Sequence, residues 1–247
     1  MSVAALYTDL SRYYDLMCAS IDYRAQSEHF RRLNQLFGNG GRRHLDLGCG
    51  TGPHVAHFVG FGFDCSGLDL HQPMLDIARQ RCPQATFMRG DMRDFVVAEP
   101  FDLITSFLYS IHYCQTIQGL QRCVDAVYAA LKTGGLFCFN AVDKTHIDNR
   151  DNVREEVVNA EGHFQFQSGW RYDGAGDEQS LLIRIERRIG EQSEVWQDRH
   201  PMVAVSFAQL QQMLSPRFEV HLFEHDYDRI EPWAGSSGNA LFVCEKR

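Results

Sequence analysis

Leu45-Asp46-Leu47-Gly48-Cys49-Gly50-Thr51-Gly52-Pro53 runs from a short apolar strand over 44–47 straight into a helix that opens at Pro53. Proline suits the first turn of a helix, where its missing N–H has no partner to lose. The glycines let the chain turn sharply and let a ligand approach the backbone. Their spacing is G-x-G-x-G, whereas the turn that cradles a dinucleotide pyrophosphate is spaced G-x-G-x-x-G. A nicotinamide oxidoreductase is disfavoured on that ground. In open α/β sheets the ligand sits at the strand ends, so the reading puts Asp46 at the mouth of the site. An acid there repels phosphate and welcomes an ammonium group.

Two further acids follow the same rule. About 20 residues on, a buried strand over 63–68 ends at Asp69, whose carboxylate can accept from a pair of ribose hydroxyls. A third strand ends near Met88 and leads into Gly90-Asp91-Met92. Asp91 is expected to accept from an adenine amino group and Met92 to pack on the ring. An ammonium, a ribose and an adenine without phosphate describe S-adenosylmethionine (SAM).

The rest of the chain supplies the frame. Helices are expected over 4–17, 24–37, 53–59, 72–81, 116–131 and 207–214. Strands are expected over 44–47, 63–68, 85–88, 101–106 and 136–140, with Thr133-Gly134-Gly135 ending the helix before the last of these. Strands alternating with helices imply βαβ units and a mainly parallel sheet. After Val142 the pattern changes. Residues 155–170, 180–189 and 194–205 alternate apolar and polar and are separated by turn signals such as Asp173-Gly174-Ala175-Gly176-Asp177. They read as an antiparallel insertion. Two final strands are expected over 217–225 and 240–245.

These residues resemble the class I SAM-dependent methyltransferase superfamily. The match is carried by Asp46–Gly52, by Gly67-Leu68-Asp69 with Met74, by Gly90-Asp91-Met92 and by Phe101-Asp102-Leu103-Ile104. Within it the chain is similar to small N-methyltransferases acting on amino groups of nucleotide-linked deoxysugars. Tyr14-Asp15, Asp22-Tyr23, Arg93-Asp94-Phe95, Ser110-Ile111 and the tail from Ser237 to Val243 carry that closer likeness. The resemblance implies a Rossmann-like α/β fold: a seven-stranded, mainly parallel sheet with its last strand antiparallel and helices on both faces. It implies one domain over 1–247, with an N-terminal helical lid (1–40) and an antiparallel β lid insertion (143–205).

Composition narrows the partners. The chain has 247 residues, 44% of them hydrophobic, and a formal charge of −8. No basic cluster is longer than Arg42-Arg43 or Arg187-Arg188, which argues against a nucleic-acid partner and for a small-molecule substrate, an amine above all. No apolar run reaches the roughly 18 residues that would span a bilayer, so no membrane partner is expected. The N-terminus lacks a secretory pattern, and the eight cysteines include no C-x-x-C pair. Reduced core thiols and a cytoplasmic location are the expectation. His54 and His57 lie three apart without a third ligand, so no metal is expected. There is no Asn/Asp-Pro-Pro-aromatic motif, no G-x-S-x-G elbow and no P-loop.

Candidates for chemistry lie after the fourth strand and in the lids. His112 has the intrinsic pKa of a base at neutral pH. Tyr113 stands where the resembling sugar enzymes carry a histidine, and Tyr14 and Tyr23 can reach the cofactor from the N-terminal lid. The expected catalytic set is His112, Tyr14 and Tyr113. The expected cofactor set is Tyr14, Tyr23, Asp46, Gly48, Gly50, Asp69, Leu70, Met74, Gly90, Asp91, Met92, Phe107 and Ile111. Asn140, Trp170 and Tyr172 are expected at the substrate. The leading reading is methyl transfer to a small amine. Cyclisation of SAM to azetidine-2-carboxylate with release of methylthioadenosine is the alternative, and a non-catalytic SAM-binding protein the second.

Overall fold

The computed structural model describes residues 5–247. Eleven strands and six α-helices make up two sheets and their cover. The larger sheet contains β1 (Arg43–Leu47), β2 (Asp64–Asp69), β3 (Thr86–Arg89), β4 (Phe101–Ser106), β5 (Leu131–Val142), β10 (Phe218–Glu224) and β11 (Asn239–Lys246). Their order is β10-β11-β5-β4-β1-β2-β3, with β11 antiparallel to both neighbours and the other pairings parallel. The chain leaves β1 for one edge and returns beside it at β4. That switch point opens a crevice at the strand ends, where ligands bind in such sheets.

The helices are α1 (Tyr14–Met17), α2 (Tyr23–Phe37), α3 (Pro53–Gly60), α4 (Gln72–Arg81), α5 (Ile117–Ala130) and α6 (Phe207–Leu214). Alternation along β5 shows how both faces are filled. Phe137 and Phe139 pack with Leu120, Val124 and Val127 of α5 and Leu210 of α6. Leu136 and Cys138 point the other way, into a layer with Phe30 and Leu33 of α2, Phe58 of α3 and Leu75 of α4. All eight cysteines are buried and unpaired. Among the described residues no helix is long and apolar enough to cross a membrane.

The smaller sheet is antiparallel: β6 (Val153–Asn159), β7 (Gly162–Tyr172), β8 (Glu178–Ile189) and β9 (Gln192–Val203), in that order. Phe164, Phe166, Ile183 and Ile185 on one of its faces bury Leu6, Leu10 and Tyr13 from the N-terminal segment. The two lids anticipated separately are therefore one packed unit.

Three expectations need correction. The helix foreseen over 4–17 is instead two 3₁₀ turns, Ala5–Tyr7 and Ser11–Tyr13, followed by the single turn of α1; residue 4 lies outside the described residues. Thr8, Asp9 and Ser11 compete with the helical backbone, and the Leu6 N–H is drawn to the Asp198 carboxylate of β9 at 2.8 Å. The stretch 155–170 is a hairpin, turned at Ala160-Glu161, where the Glu161 N–H bonds Asn159 Oδ1 at 2.8 Å. Lastly, α5 ends at Ala130 and β5 starts at Leu131, so Gly134 and Gly135 sit inside the strand, at a shift in its register against β4.

Candidate active site

The crevice at the switch point is a cavity of about 240 Å³. Its floor is the loop after β1. The Gly48 and Cys49 N–H groups both bond the Leu68 carbonyl, at 2.8 and 3.1 Å, which folds the loop back against β2. Gly48 has φ +70°, and a Cβ there would meet Ser110 Cβ at 3.0 Å and Met92 Cε at 3.4 Å. A side chain would thus fill the cradle between two residues of the cavity wall.

Asp69 ends β2 and is 9% exposed. Its Oδ2 accepts the Gly50 N–H at 2.9 Å and its Oδ1 the His71 N–H at 2.8 Å. Burial raises its pKa, and these backbone donors oppose the rise. The carboxylate lines the cavity. Asp91, after β3, also lines the cavity, but Arg93 holds it in a fork, Nη2 to Oδ2 at 2.6 Å and Nε to Oδ1 at 2.9 Å. The Arg93 guanidinium lowers the pKa of Asp91. Met74, Leu70, Gly90 and Met92 complete that wall.

The roof comes from elements far apart in sequence. Tyr7 and Tyr14 descend from the N-terminal segment, Ser110, Tyr113 and Gln115 from the region of the 3₁₀ turn Ser110–Cys114, and His200 with Pro201 from β9. Burial raises the pKa of Tyr7, Tyr14 and Tyr113, so these phenols are neutral. The N-terminal roof is pinned to the floor. Thr51 Oγ1 donates to Asp15 Oδ1 at 2.6 Å, and Arg81 of α4 bonds both the Thr51 carbonyl, at 3.0 Å, and the Asp15 carboxylate.

Of the anticipated residues, Tyr14, Gly48, Gly50, Asp69, Leu70, Met74, Gly90, Asp91, Met92 and Tyr113 line this one cavity. Others lie off its wall. His112 is fully buried with its ring spent on backbone: Nδ1 donates to the Val203 carbonyl at 2.9 Å and Nε2 accepts the Val142 N–H at 3.1 Å. Burial pulls its pKa down to about 4. The residue foreseen as a base thus lies off the cavity wall and ties β5 to β9. Asp46 also stands back from the mouth. It is buried inside β1, accepts from Thr105 Oγ1 at 2.8 Å, and burial pushes its pKa up to about 8.

Phe107 stacks on His54 at 3.6 Å and on Phe30 at 4.6 Å, Ile111 belongs to the core, and Tyr23 puts its ring against the His54 edge at 5.0 Å. Asn140 accepts the Tyr109 N–H at 3.1 Å. Trp170 lines a separate cavity within the β lid, and Tyr172 donates to the Gly176 carbonyl at 3.1 Å at the tip of a hairpin. These three form no common wall with the cofactor cavity.

Tyr7, His71 and His200 escaped the sequence reading. Tyr7 and Tyr14 are seven apart, a spacing that can place both on one side of a helical segment, and His71 directly follows a strand-end acid. His200 had no signal, because only the packing of β9 against the 3₁₀ turn brings it to the cavity.

A methyltransferase-domain model matches residues 45–135. Over 92 residues the chain is 40% identical to the dTDP-3-amino-3,4,6-trideoxy-alpha-D-glucopyranose N,N-dimethyltransferase of Streptomyces venezuelae, a match covering 37% of this chain and 39% of that one. Over another 92-residue match it is 37% identical to a dTDP-4-amino-2,3,4,6-tetradeoxy-D-glucose N,N-dimethyltransferase of Saccharopolyspora spinosa, covering 37% of each. These matches span under two fifths of the relatives' length. The crystal structure of Streptomyces venezuelae DesVI superposes with a TM-score of 0.83 at 24% identity, over 97% of this chain and 99% of that one.

Residues 45–135 are thus similar to a methyltransferase domain, and the whole chain shares the fold of DesVI.

The strand order and the antiparallel last strand are those of the class I methyltransferase fold. A structural neighbour at 19% identity and TM-score 0.78, the amino pentose methyltransferase CalS10, has SAM bound. The glycine cradle and the paired acceptor oxygens of Asp69 fit it without change.

Proposed function

We propose that this protein is a methyltransferase that transfers the methyl group of SAM to the amino group of a small molecule, an aminosugar in particular. The observation that carries the reading is the Asp69 carboxylate. It is oriented by the Gly50 and His71 N–H groups and lines the cavity, where it would accept from the 2′ and 3′ hydroxyls of a ribose. Gly48 and Gly50 would take the methionine part, and Met92 and Leu70 the adenine, with Asp91 accepting from its amino group on a lone pair that Arg93 leaves free. Bound there, SAM supplies an activated methyl group on a sulfonium, an excellent leaving group. The protein's part is then to hold an acceptor in line, exclude water and keep the nucleophile unprotonated. The neutral tyrosine and histidine roof suits a cationic acceptor losing a proton. The relatives named above are N,N-dimethyltransferases of dTDP-linked aminosugars, which supports an amine acceptor of that class.

The test is incubation of the protein with SAM and dTDP-3-amino-3,4,6-trideoxyglucose, followed by mass spectrometry of the sugar nucleotide. The reading expects one or two methyl groups on the sugar nitrogen. An unchanged sugar over a panel of such amines contradicts it.

A further inference from the structure

The cavity roof contains a chain of polar groups that recognition of SAM leaves unused. Tyr7 Oη lies 2.5 Å from Tyr113 Oη, and Tyr113 Oη lies 2.7 Å from His200 Nδ1. On the far side of that imidazole, Nε2 faces Asp198 Oδ2 at 3.5 Å. His200 is 2% exposed, and its Nε2 has no hydrogen-bond partner. Asp198 is itself fixed by the Leu6 N–H. Three distant pieces of chain thus converge on one line of atoms: the N-terminal segment, the turn after β4, and β9. Tyr7, Tyr113 and His200 all face the cavity.

We propose that Tyr113, His200 and Asp198 form a proton relay that removes the proton of the acceptor amine, with Tyr113 Oη touching the amine. The inference rests on the amine-acceptor reading given above. An ammonium N–H bond breaks as its proton moves to Tyr113 Oη. The former Tyr113 O–H proton moves to His200 Nδ1, and the imidazolium so formed is held by the Asp198 carboxylate. The lone pair left on nitrogen forms the new bond to the methyl carbon, and the carbon–sulfur pair leaves with sulfur. The phenols only pass the proton on, since burial keeps them protonated. His200 starts neutral because burial lowers its pKa, against the pull of Asp198. His71, whose charge also lowers the His200 pKa, faces the group from the start of α4, with its ring 5.5 Å from that of Tyr7. Tyr14, with its ring 5.8 Å from that of Tyr7, and Asp69 and Cys18, through their effects on Tyr7, are the further titratable groups around it. The imidazole arrives from β9 and acts through Tyr113.

Two measurements test this. The first is the pH profile of methyl transfer to the same dTDP-aminosugar for wild type and Tyr113→Phe, which removes one hydroxyl. The relay predicts a kcat loss of about 10²–10³-fold at pH 7, an unchanged KM for SAM, and recovery as pH rises above the pKa of the acceptor amine. The second is nitrogen NMR of the histidine side chains in the SAM-free protein. It predicts the His200 proton on Nε2 at pH 7, and titration at a lower pH in Asp198→Asn. A wild-type rate for Tyr113→Phe at pH 7, a loss that persists at every pH, or a proton on Nδ1 overturns the relay alone. Absence of turnover by the wild type contradicts the functional reading and the relay with it.

Discussion

Asp69 accepts the Gly50 and His71 N–H groups and lines the cavity, so on the proposed reading its removal takes away both a ligand partner and a support of the loop. Asp69→Ala is expected to weaken SAM binding by about 1–3 kcal/mol, the range for losing a partner of a buried polar group. Asp69→Asn should lose less, because its amide oxygen still accepts. Titration calorimetry reads both, and wild-type affinity in Asp69→Ala would remove the residue from the ribose site. His112 makes the opposite case. Its two nitrogens satisfy the buried Val142 N–H and Val203 carbonyl. His112→Ala should therefore cost about 1–3 kcal/mol of folding stability, with the kcat of the folded fraction unchanged. Urea unfolding alongside initial rates separates the two, and a large kcat loss at unchanged stability would restore His112 as a base. The sequence alone favoured that assignment, because intrinsic pKa is visible in a residue's type and burial is not.

At the scale of elements, α1 is held over the glycine loop by one clamp, Asp15 with Thr51 and Arg81. The Asp15 and Arg81 side chains are 38% and 32% exposed, so solvent screens much of their attraction. Such a pair contributes about 0.2–1 kcal/mol. Asp15→Ala is expected to weaken SAM binding by up to about fivefold, and the difference from wild type should shrink as salt is added. A salt-independent loss would point to packing instead. The βαβ elements were legible because each carries its own punctuation: an apolar run, then a strand-end acid or glycine, then a helix start. The N-terminal segment was not. Its turns answer to contacts with Phe164 and Ile185 some 150 residues away, which no local pattern records. The hairpin at Ala160-Glu161 lay within reach, since Asn159 and Gly162 are turn residues on either side of it. Asn140, Trp170 and Tyr172 lie off the main cavity for a similar reason. Strand-end logic locates a residue along β5, but which cavity a lid residue faces depends on how the lid docks.

For the whole molecule, the buried histidines set the response to acid. Burial lowers His112 to about 4 and His44 to about 3, and lowers His54 as well. A histidine kept neutral by folding contributes stability that is fully present above its unfolded pKa and lost as pH falls toward its folded one. Asp46 works in reverse. Raised to about 8, its contribution is present at low pH and lost as pH rises through that value. Below pH 6.5 the three histidines outweigh Asp46 and Asp69, whose pKa burial also raises, and above it only the acids of this set still act. Stability should therefore peak near about pH 6.5, changing by about 1.4 kcal/mol per pH unit for each net proton. Melting temperatures between pH 4 and 9 check this. Asp46→Asn should make the alkaline limb shallower and keep the fall on the acid side, and a maximum displaced to pH 4 would contradict the assignment.

The fate of SAM itself tests the central claim most directly. The protein is incubated with SAM, with and without an aminosugar acceptor, and the adenosine-containing product is identified by mass spectrometry. Methyl transfer predicts S-adenosylhomocysteine, formed only with acceptor present and suppressed in Asp69→Ala. Methylthioadenosine accumulating from SAM alone, in proportion to protein and suppressed by the same substitution, would contradict it.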